Sequence, residues 1–256
     1  MSDENNDQAV LVERRDRVMI ITLNRPEAMN SINGALSHGL RDAVHELNND
    51  DGLTAGVITG NGRGFSAGMD LKAFARGEDI GPLNEFIRAG SEKPLIAAIE
   101  GFALAGGCEI ALTCDLLVAS KGSKIGIREV KVGLFAGAGG VFRLPARVGY
   151  TKAMEMAITG EHILAEEAFE VGMLSELTEP GGALDAAIAW ADRVAVNAPL
   201  AVAASKALVR AAAQSYDEDE LWELQKPHAK KVFSSNDAKE GPRAFAEKRE
   251  PNWTGT

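Results

Sequence analysis

Gly64-Phe65-Ser66-Ala67-Gly68-Met69-Asp70 and Ala105-Gly106-Gly107-Cys108-Glu109 are the two stretches that decide how this chain reads. Each follows an apolar run of strand type, Ala55–Thr59 in the first case and Leu95–Ile99 in the second. A strand ending in an open glycine turn can aim peptide N–H groups at one anionic atom. Two such turns supply two donors, the backbone half of an oxyanion hole. Free N–H groups in a helix's first turn favour negative charge for the same reason. Gly106 and Gly107 equally suit close packing of a helix start on a sheet, and at this level both readings stand. Glu109 would lie about one turn into that helix, among Cys108, Ile110, Ala111 and Leu112. There a carboxylate needs a hydrogen-bonded partner, a first-turn capping role or a chemical task.

Composition narrows the classes. The chain has 256 residues, 45% hydrophobic and 5% aromatic, with 27 glycines. A sizeable core and many tight turns follow, as in a tightly packed α/β protein. Acidic residues outnumber basic ones 37 to 27, a formal charge of -10, which disfavours nucleic acid and anionic membrane as partners. Cys108 and Cys114 read as small buried hydrophobes of a reducing compartment. No apolar stretch long enough to span a bilayer and no leader pattern are seen, so a cytoplasmic protein is expected, with residues 1–9 frayed.

Along the chain, Val10–Arg14 and Val18–Leu23 read as a hairpin turning at Arg15-Asp16. Leu36, Leu40, Val44 and Leu47 recur at helical spacing, with Ser31 or Asn33 as cap. Ala55–Thr59, Leu95–Ile99, Leu116–Ala119 and Ser123–Ile127 read as buried strands. Gly137–Gly140 reads as a tight turn into a helix from Val141. After Thr151 the pattern is helical: Lys152–Thr159, Ala165–Val171, Ala183–Asn197, Leu200–Ser215, Glu218–Phe233 and a charged helix near Glu240–Glu250. The expected division is a core over 10–195 and a helical region over 196–256.

Chemistries of other classes fit poorly. Gly60-Asn61-Gly62-Arg63-Gly64 misses the G-x-G-x-x-G spacing, and no phosphate-binding G-x-x-x-x-G-K-S/T loop occurs. His38, His45, His162 and His228 are scattered outside metal-ligand spacing, so no metal is expected. Ser66, in Phe65-Ser66-Ala67-Gly68, has no obvious histidine partner for nucleophilic chemistry. Glu129, between Arg128 and Val130, reads on its own as a solvated charge.

Taken together, Leu23–Pro26, Val57–Gly60, Gly64–Leu71, Gly101–Glu109, Cys114-Asp115, Gly133–Gly140 and Ala244–Arg249 resemble the enoyl-CoA hydratase/isomerase, or crotonase, family over nearly the whole chain. The resemblance implies a ββα spiral core with C-terminal helices, assembled as trimers or dimers of trimers through 196–256. It implies an acyl-CoA thioester as substrate, with coenzyme A arriving on the substrate and no separate cofactor. On this pattern Met69 and Gly106 are the thioester-binding N–H donors, and Glu109 and Glu129 the paired carboxyls of a hydratase. Glu109 would activate water and Glu129 protonate C2, giving syn hydration of a trans-2-enoyl-CoA to a 3-hydroxyacyl-CoA. Arg25, Ala28, Phe65, Ala67 and Lys72 match the coenzyme A groove, and Phe245 and Lys248 match residues that reach a neighbouring subunit. Segments Ser66–Ala75 and Glu240–Pro251 also resemble the carnitinyl-CoA dehydratase branch. Double-bond isomerisation, thioester hydrolysis and a noncatalytic role compete with hydration. Two departures stand out. Arg128 replaces the proline usual in hydratases, and its charge would weaken proton donation by Glu129 unless it points away. Ala105 replaces a glycine common in the family, a methyl expected to perturb little. Acyl length and trimer versus hexamer stay open.

Overall fold

The central strands of this chain are continuously apolar because both faces of the sheet are covered there. The computed structural model describes residues 8–213 and 217–256; residues 1–7 of the terminus expected to fray, and Ser215 at the end of one expected helix, lie outside them. Gln8 and Ala9 are described, and their carbonyls accept from the Asn24 side chain and the Asn24 N–H at 2.9 and 2.8 Å. β1 (Val10–Arg15) and β2 (Val18–Leu23) form the hairpin. It turns at Asp16-Arg17, one residue later than expected, because Asp16 takes the left-handed φ of 50°. α1 (Gly34–Asn49) is capped by Asn33, not Ser31: the Asn33 side chain accepts from the Leu36 N–H.

β3 (Ala55–Gly60), α2 (Leu71–Ala75), α3 (Gly81–Ala89), β4 (Leu95–Ile99), β5 (Phe102–Leu104), α4 (Gly106–Thr113), β6 (Leu116–Ser120) and β7 (Lys124–Gly126) come next. Then come α5 (Gly140–Val148), α6 (Tyr150–Thr159), β8 (Ile163–Leu164), α7 (Ala165–Glu170), β9 (Glu176–Thr178) and α8 (Ala183–Ala195). α9 (Pro199–Ala212), α10 (Glu218–Phe233) and α11 (Asn236–Glu247) follow.

Among the described residues the larger sheet has the order β1-β2-β3-β4-β6-β9, parallel except for the opening hairpin. Alternate residues divide between its faces. Met19, Ile21, Leu23, Ile58, Leu95, Ala97 and Ile99 join the main core with α1, α3 and α4. Val18, Ile20, Ala55, Val57, Ile96, Ala98 and Val118 face α8, which covers them with Ala183, Ala187, Ile188 and Ala191. β1 leaves Glu13, Arg14 and Arg15 exposed on its outer edge, which discourages further strand pairing.

A smaller sheet, β5-β7-β8, positions the site. The first glycine turn runs beside β5: Ser66 bridges Ala103, the Leu104 N–H donates to Ser66 O at 3.0 Å, and the Phe65 N–H to Phe102 O at 2.9 Å. β5 then leads directly into the second turn and α4. Its parallel partner β7 leads to Glu129, which opens a short 3-10 turn.

Asn30 pins the first turn from behind. It is fully buried at a left-handed φ of 51°, its amide donates to Asn61 O and Gly64 O at 2.8 Å each, and its Oδ1 accepts from the Arg25 N–H. Asn30→Ala strands the buried Gly64 carbonyl and removes the partner of the partly buried Asn61 carbonyl and Arg25 N–H, and we expect a loss of about 2 kcal/mol in denaturant unfolding. A loss below about 1 kcal/mol would show that these groups find new partners.

Candidate active site

The two glycine turns touch, and they do so because two positions have no side chain. A Cβ on Gly107 would stand 2.4 Å from Ser66 O, and one on Gly68, at φ +94°, would stand 2.7 Å from the Ala105 methyl. The same direction from Gly68 lies 3.0 Å from Gly106 N, while Met69 N lies 3.7 Å from where a Gly106 Cβ would be. Met69 and Gly106 thus lie side by side. Met69 bridges Ile32 through its flanking groups, Ile32 N–H to Gly68 O and Asp70 N–H to Ile32 O, so its own N–H turns the other way. Gly106 is the first residue of α4. Among the described residues neither the Met69 nor the Gly106 N–H donates to a protein acceptor, and both residues are partly open to solvent.

Asp70 holds the turn that carries Met69. Its carboxylate accepts from the Lys72 and Ala73 N–H groups and pairs with Arg25 at 3.3 Å. The Ala73 N–H, with the Arg25 guanidinium, keeps that carboxyl below its ordinary range. Arg25 also donates to Ser31 O, so much of its guanidinium is spent inside the protein. Phe65 is fully buried in the main core, Ala67 donates its N–H to Met29 O, Ala28 is half-buried in a 3-10 turn, and Lys72 is exposed. Phe245, 87% exposed, and Lys248 stand out on and just after α11. Of the expected groove residues, the contacts join Arg25 to the Met69 turn through Asp70.

Glu109 projects from the first turn of α4 and is only 4% exposed. Its Oε1 accepts from the Gly140 N–H, the first residue of α5, at 2.9 Å. Burial pushes its carboxyl up to about 7; the N–H groups of Gly140 and Ala138 and the Arg143 charge push against this, while the nearby Glu129 charge adds to it. Glu129 reaches the same place by way of β7, whose last residue accepts the Ala105 N–H at 2.8 Å. Burial raises the Glu129 carboxyl too, and its Oε2 is buried without a hydrogen-bond partner. Such an oxygen is placed to carry or deliver a proton.

Arg128 turns its charge elsewhere. It acts on Glu161 and His162, whereas what it contributes to Glu129 is its backbone N–H. The residues alone do not single out Gly140, Ala138 or Arg143. The Gly137–Gly140 turn is the available signal, but nothing local ties it to a carboxylate on α4.

Ala105 matters more than its single methyl suggests. It sits at φ 50°, ψ -128°, a region that glycine tolerates and alanine does not. The strain is of order 1–3 kcal/mol. Ala105→Gly should therefore stabilise the protein by a net of about 1 kcal/mol after glycine's entropy cost, raising the thermal midpoint by roughly 2–4 °C. A lower midpoint would contradict the strain. The raised Glu109 carboxyl also predicts a pH dependence. Between its ordinary 4.5 and about 7 the folded protein holds a proton that the unfolded chain has released, so stability falls as pH rises through that window. Glu109→Gln should remove this slope, gaining midpoint relative to wild type at pH 8 compared with pH 5. Equal differences at both pH values would count against it.

Residues 13–256 match the family model for enoyl-CoA hydratase/isomerase. The chain is 39% identical to enoyl-CoA hydratase EchA19 of Mycobacterium tuberculosis, covering 95% of each, and 36% identical to carnitinyl-CoA dehydratase of Salmonella paratyphi B, covering 97% of this chain and 99% of the relative. The crystal structure of enoyl-CoA hydratase EchA1 from Mycobacterium marinum superposes with a TM-score of 0.93 at 52% identity, covering 98% of this chain and all of that one. With the ββα core and C-terminal helical region seen above, the chain belongs to the enoyl-CoA hydratase/isomerase, or crotonase, family.

Proposed function

We propose that the protein adds water syn across the 2,3-double bond of a trans-2-enoyl-CoA. The observation that carries this reading is that the buried Glu109, three residues after Gly106, feels the charge of Glu129, a half-buried carboxyl with one buried unpartnered oxygen, while the Met69 and Gly106 backbones adjoin. An isomerase or a thioester hydrolase has no need of two carboxyls that share a proton, whereas hydration needs a base for water and an acid for carbon.

In this reading the Met69 and Gly106 N–H groups bind the thioester oxygen. They stabilise the charge that builds there as water attacks, each worth about 3 kcal/mol when well aimed. Glu109 takes a proton from the water as its oxygen bonds to C3, and Glu129 gives its proton to C2. Transfer of one proton from Glu109 to Glu129 then resets the pair. The Gly140 N–H and the Arg143 charge favour the carboxylate form of Glu109, and the unpartnered Oε2 suits Glu129 as donor. Because the two groups interact, the proton belongs to the pair, and a base poised near neutrality is the effective one. The coenzyme A groove along Arg25 and Lys72, completion of the site by Phe245 and Lys248 of a neighbouring copy, and a trimeric or hexameric assembly belong to the same proposal.

The test is crotonyl-CoA hydration, followed by loss of enoyl-thioester absorbance. Glu109→Gln and Glu129→Gln should each lose roughly a hundredfold or more in kcat while still binding the thioester, and wild-type kcat should fall as pH drops below about 7. Wild-type rates in both variants would overturn the mechanism. Conversion of crotonobetainyl-CoA with crotonyl-CoA left untouched would assign the chain to carnitinyl-CoA chemistry.

A further inference from the structure

We propose that Arg143 is a positioning residue for Glu109, holding α5 against α4 and α3 so that the Gly140 N–H stays seated on the Glu109 carboxylate. The inference rests on the two-carboxylate reading and adds to it a residue that touches neither substrate nor reacting atoms.

The geometry is a closed circuit that starts and ends on Glu109. The Thr113 hydroxyl donates to Glu109 O at 2.8 Å, and Arg143 Nη1 donates to Thr113 Oγ1 at 2.8 Å. The Arg143 N–H donates to Gly139 O at 3.0 Å, and the N–H of that same peptide unit, on Gly140, donates to Glu109 Oε1 at 2.9 Å. At two points of the circuit, the Thr113 hydroxyl and the 139–140 peptide, a group accepts one bond and donates the next, so those adjoining bonds strengthen each other. The 139–140 peptide cannot shift toward its neighbours: a Cβ on Gly140 would already stand 2.9 Å from the Ala136 methyl and 3.1 Å from Glu109 Cγ. Arg143 Nη2 meanwhile donates to Ile87 O, which ties α3 into the same unit.

Charges around the ring point the same way. Arg147 on α5 donates to Cys114 O and Asp115 O, Lys206 on α9 pairs with Asp115 at 2.7 Å, and Arg210 on α9 donates to Ala89 O. Arg147 and Arg210 repel Arg143, and the carboxylate that acts on it is Glu109. Facing Glu109 itself are Glu129 from the 3-10 turn, Arg143 from α5 and the N–H groups of Ala138 and Gly140. Arg143 is therefore the cation that opposes the effects of burial and of Glu129.

The experiment compares Arg143→Gln, Arg143→Lys and Thr113→Val with wild type by two readouts: the pH dependence of kcat and KM with crotonyl-CoA, and titration of the Glu109 carboxyl by difference infrared spectroscopy, its band identified by loss in Glu109→Gln. In Arg143→Gln we expect kcat to fall roughly ten- to a hundredfold with KM little changed, and both the acid limb and the infrared titration to move to higher pH. Arg143→Lys should keep the titration near wild type yet lose rate, because one ammonium does not span Thr113 and Ile87. Thr113→Val should lower kcat without moving the titration. An unmoved infrared titration in Arg143→Gln, or an equal loss at every pH shared with KM, would overturn the proposal. If Arg143→Gln does not fold, wild-type kcat in both remaining variants would overturn it equally. Should the wild-type protein leave crotonyl-CoA unchanged, the hydration reading fails, and the infrared titration still decides for Arg143.

Discussion

The approach of two backbones with no side chain between them is the constraint on which the rest depends. Ser66 O and the α carbon of Gly107 leave no room for a methyl, and Gly68 and Ala105 meet as closely. Main chain packed this tightly has little room to move, so the fold itself sets the direction of each N–H. β5, only Phe102–Leu104, is the splint that makes the approach possible: one side pairs the first turn and its end becomes the second. Ala105 bears the strain of entering α4 from there, an instance of local conformational cost concentrated next to chemistry.

The second constraint is electrostatic. Two carboxyl groups enter one partly dry space from different elements, Glu109 from the start of α4 and Glu129 from the end of β7. Burial pushes both toward the protonated form. The Gly140 N–H and Arg143 bring Glu109 back toward neutrality. The parallel pairing of β5 with β7 makes this economical, since adjacent parallel strands end on the same side and deliver their loops together.

Much of this is legible in the residues. Buried strands show as unbroken apolar runs, and α1 shows as a helical stripe whose cap is narrowed to Ser31 or Asn33. The two turns show a glycine spacing that suits a donor pair and close packing alike, and Glu109 stands out by its apolar neighbours, but Met69 and Gly106 are picked out as donors only by the family resemblance. Glu129 is different: flanked by Arg128 and Val130 it looks solvated, and only the family resemblance singles it out, because its neighbour across space lies twenty residues back along the chain. α2 and α3 do not read as helices, since Gly77, Gly81, Pro82 and Gly90 punctuate a stretch too short to show a period. β5 is too short to show as a strand, and the charge of Arg128 carries no direction. The Ala105 methyl looks harmless because a dihedral angle does not show in composition.

The covering of one sheet face by α8 has a consequence for how the chain is made. Val18, Ile20, Val57, Ile96 and Val118 emerge early during synthesis, but the residues that shield them, Ala183 to Ala191, come last in the core. Until then the nascent sheet carries an open apolar face, held by contacts of long sequence separation, and such intermediates are prone to aggregate. Glu100 makes the same point in one side chain: its Oε1 waits for the N–H groups of Gly181 and Ala183 while its Oε2 is already met by Ser120. Truncation anywhere before α8 should thus yield an insoluble fragment rather than a smaller domain, and slowing translation after Ala195 gains little that slowing it before Gly181 would not put at risk.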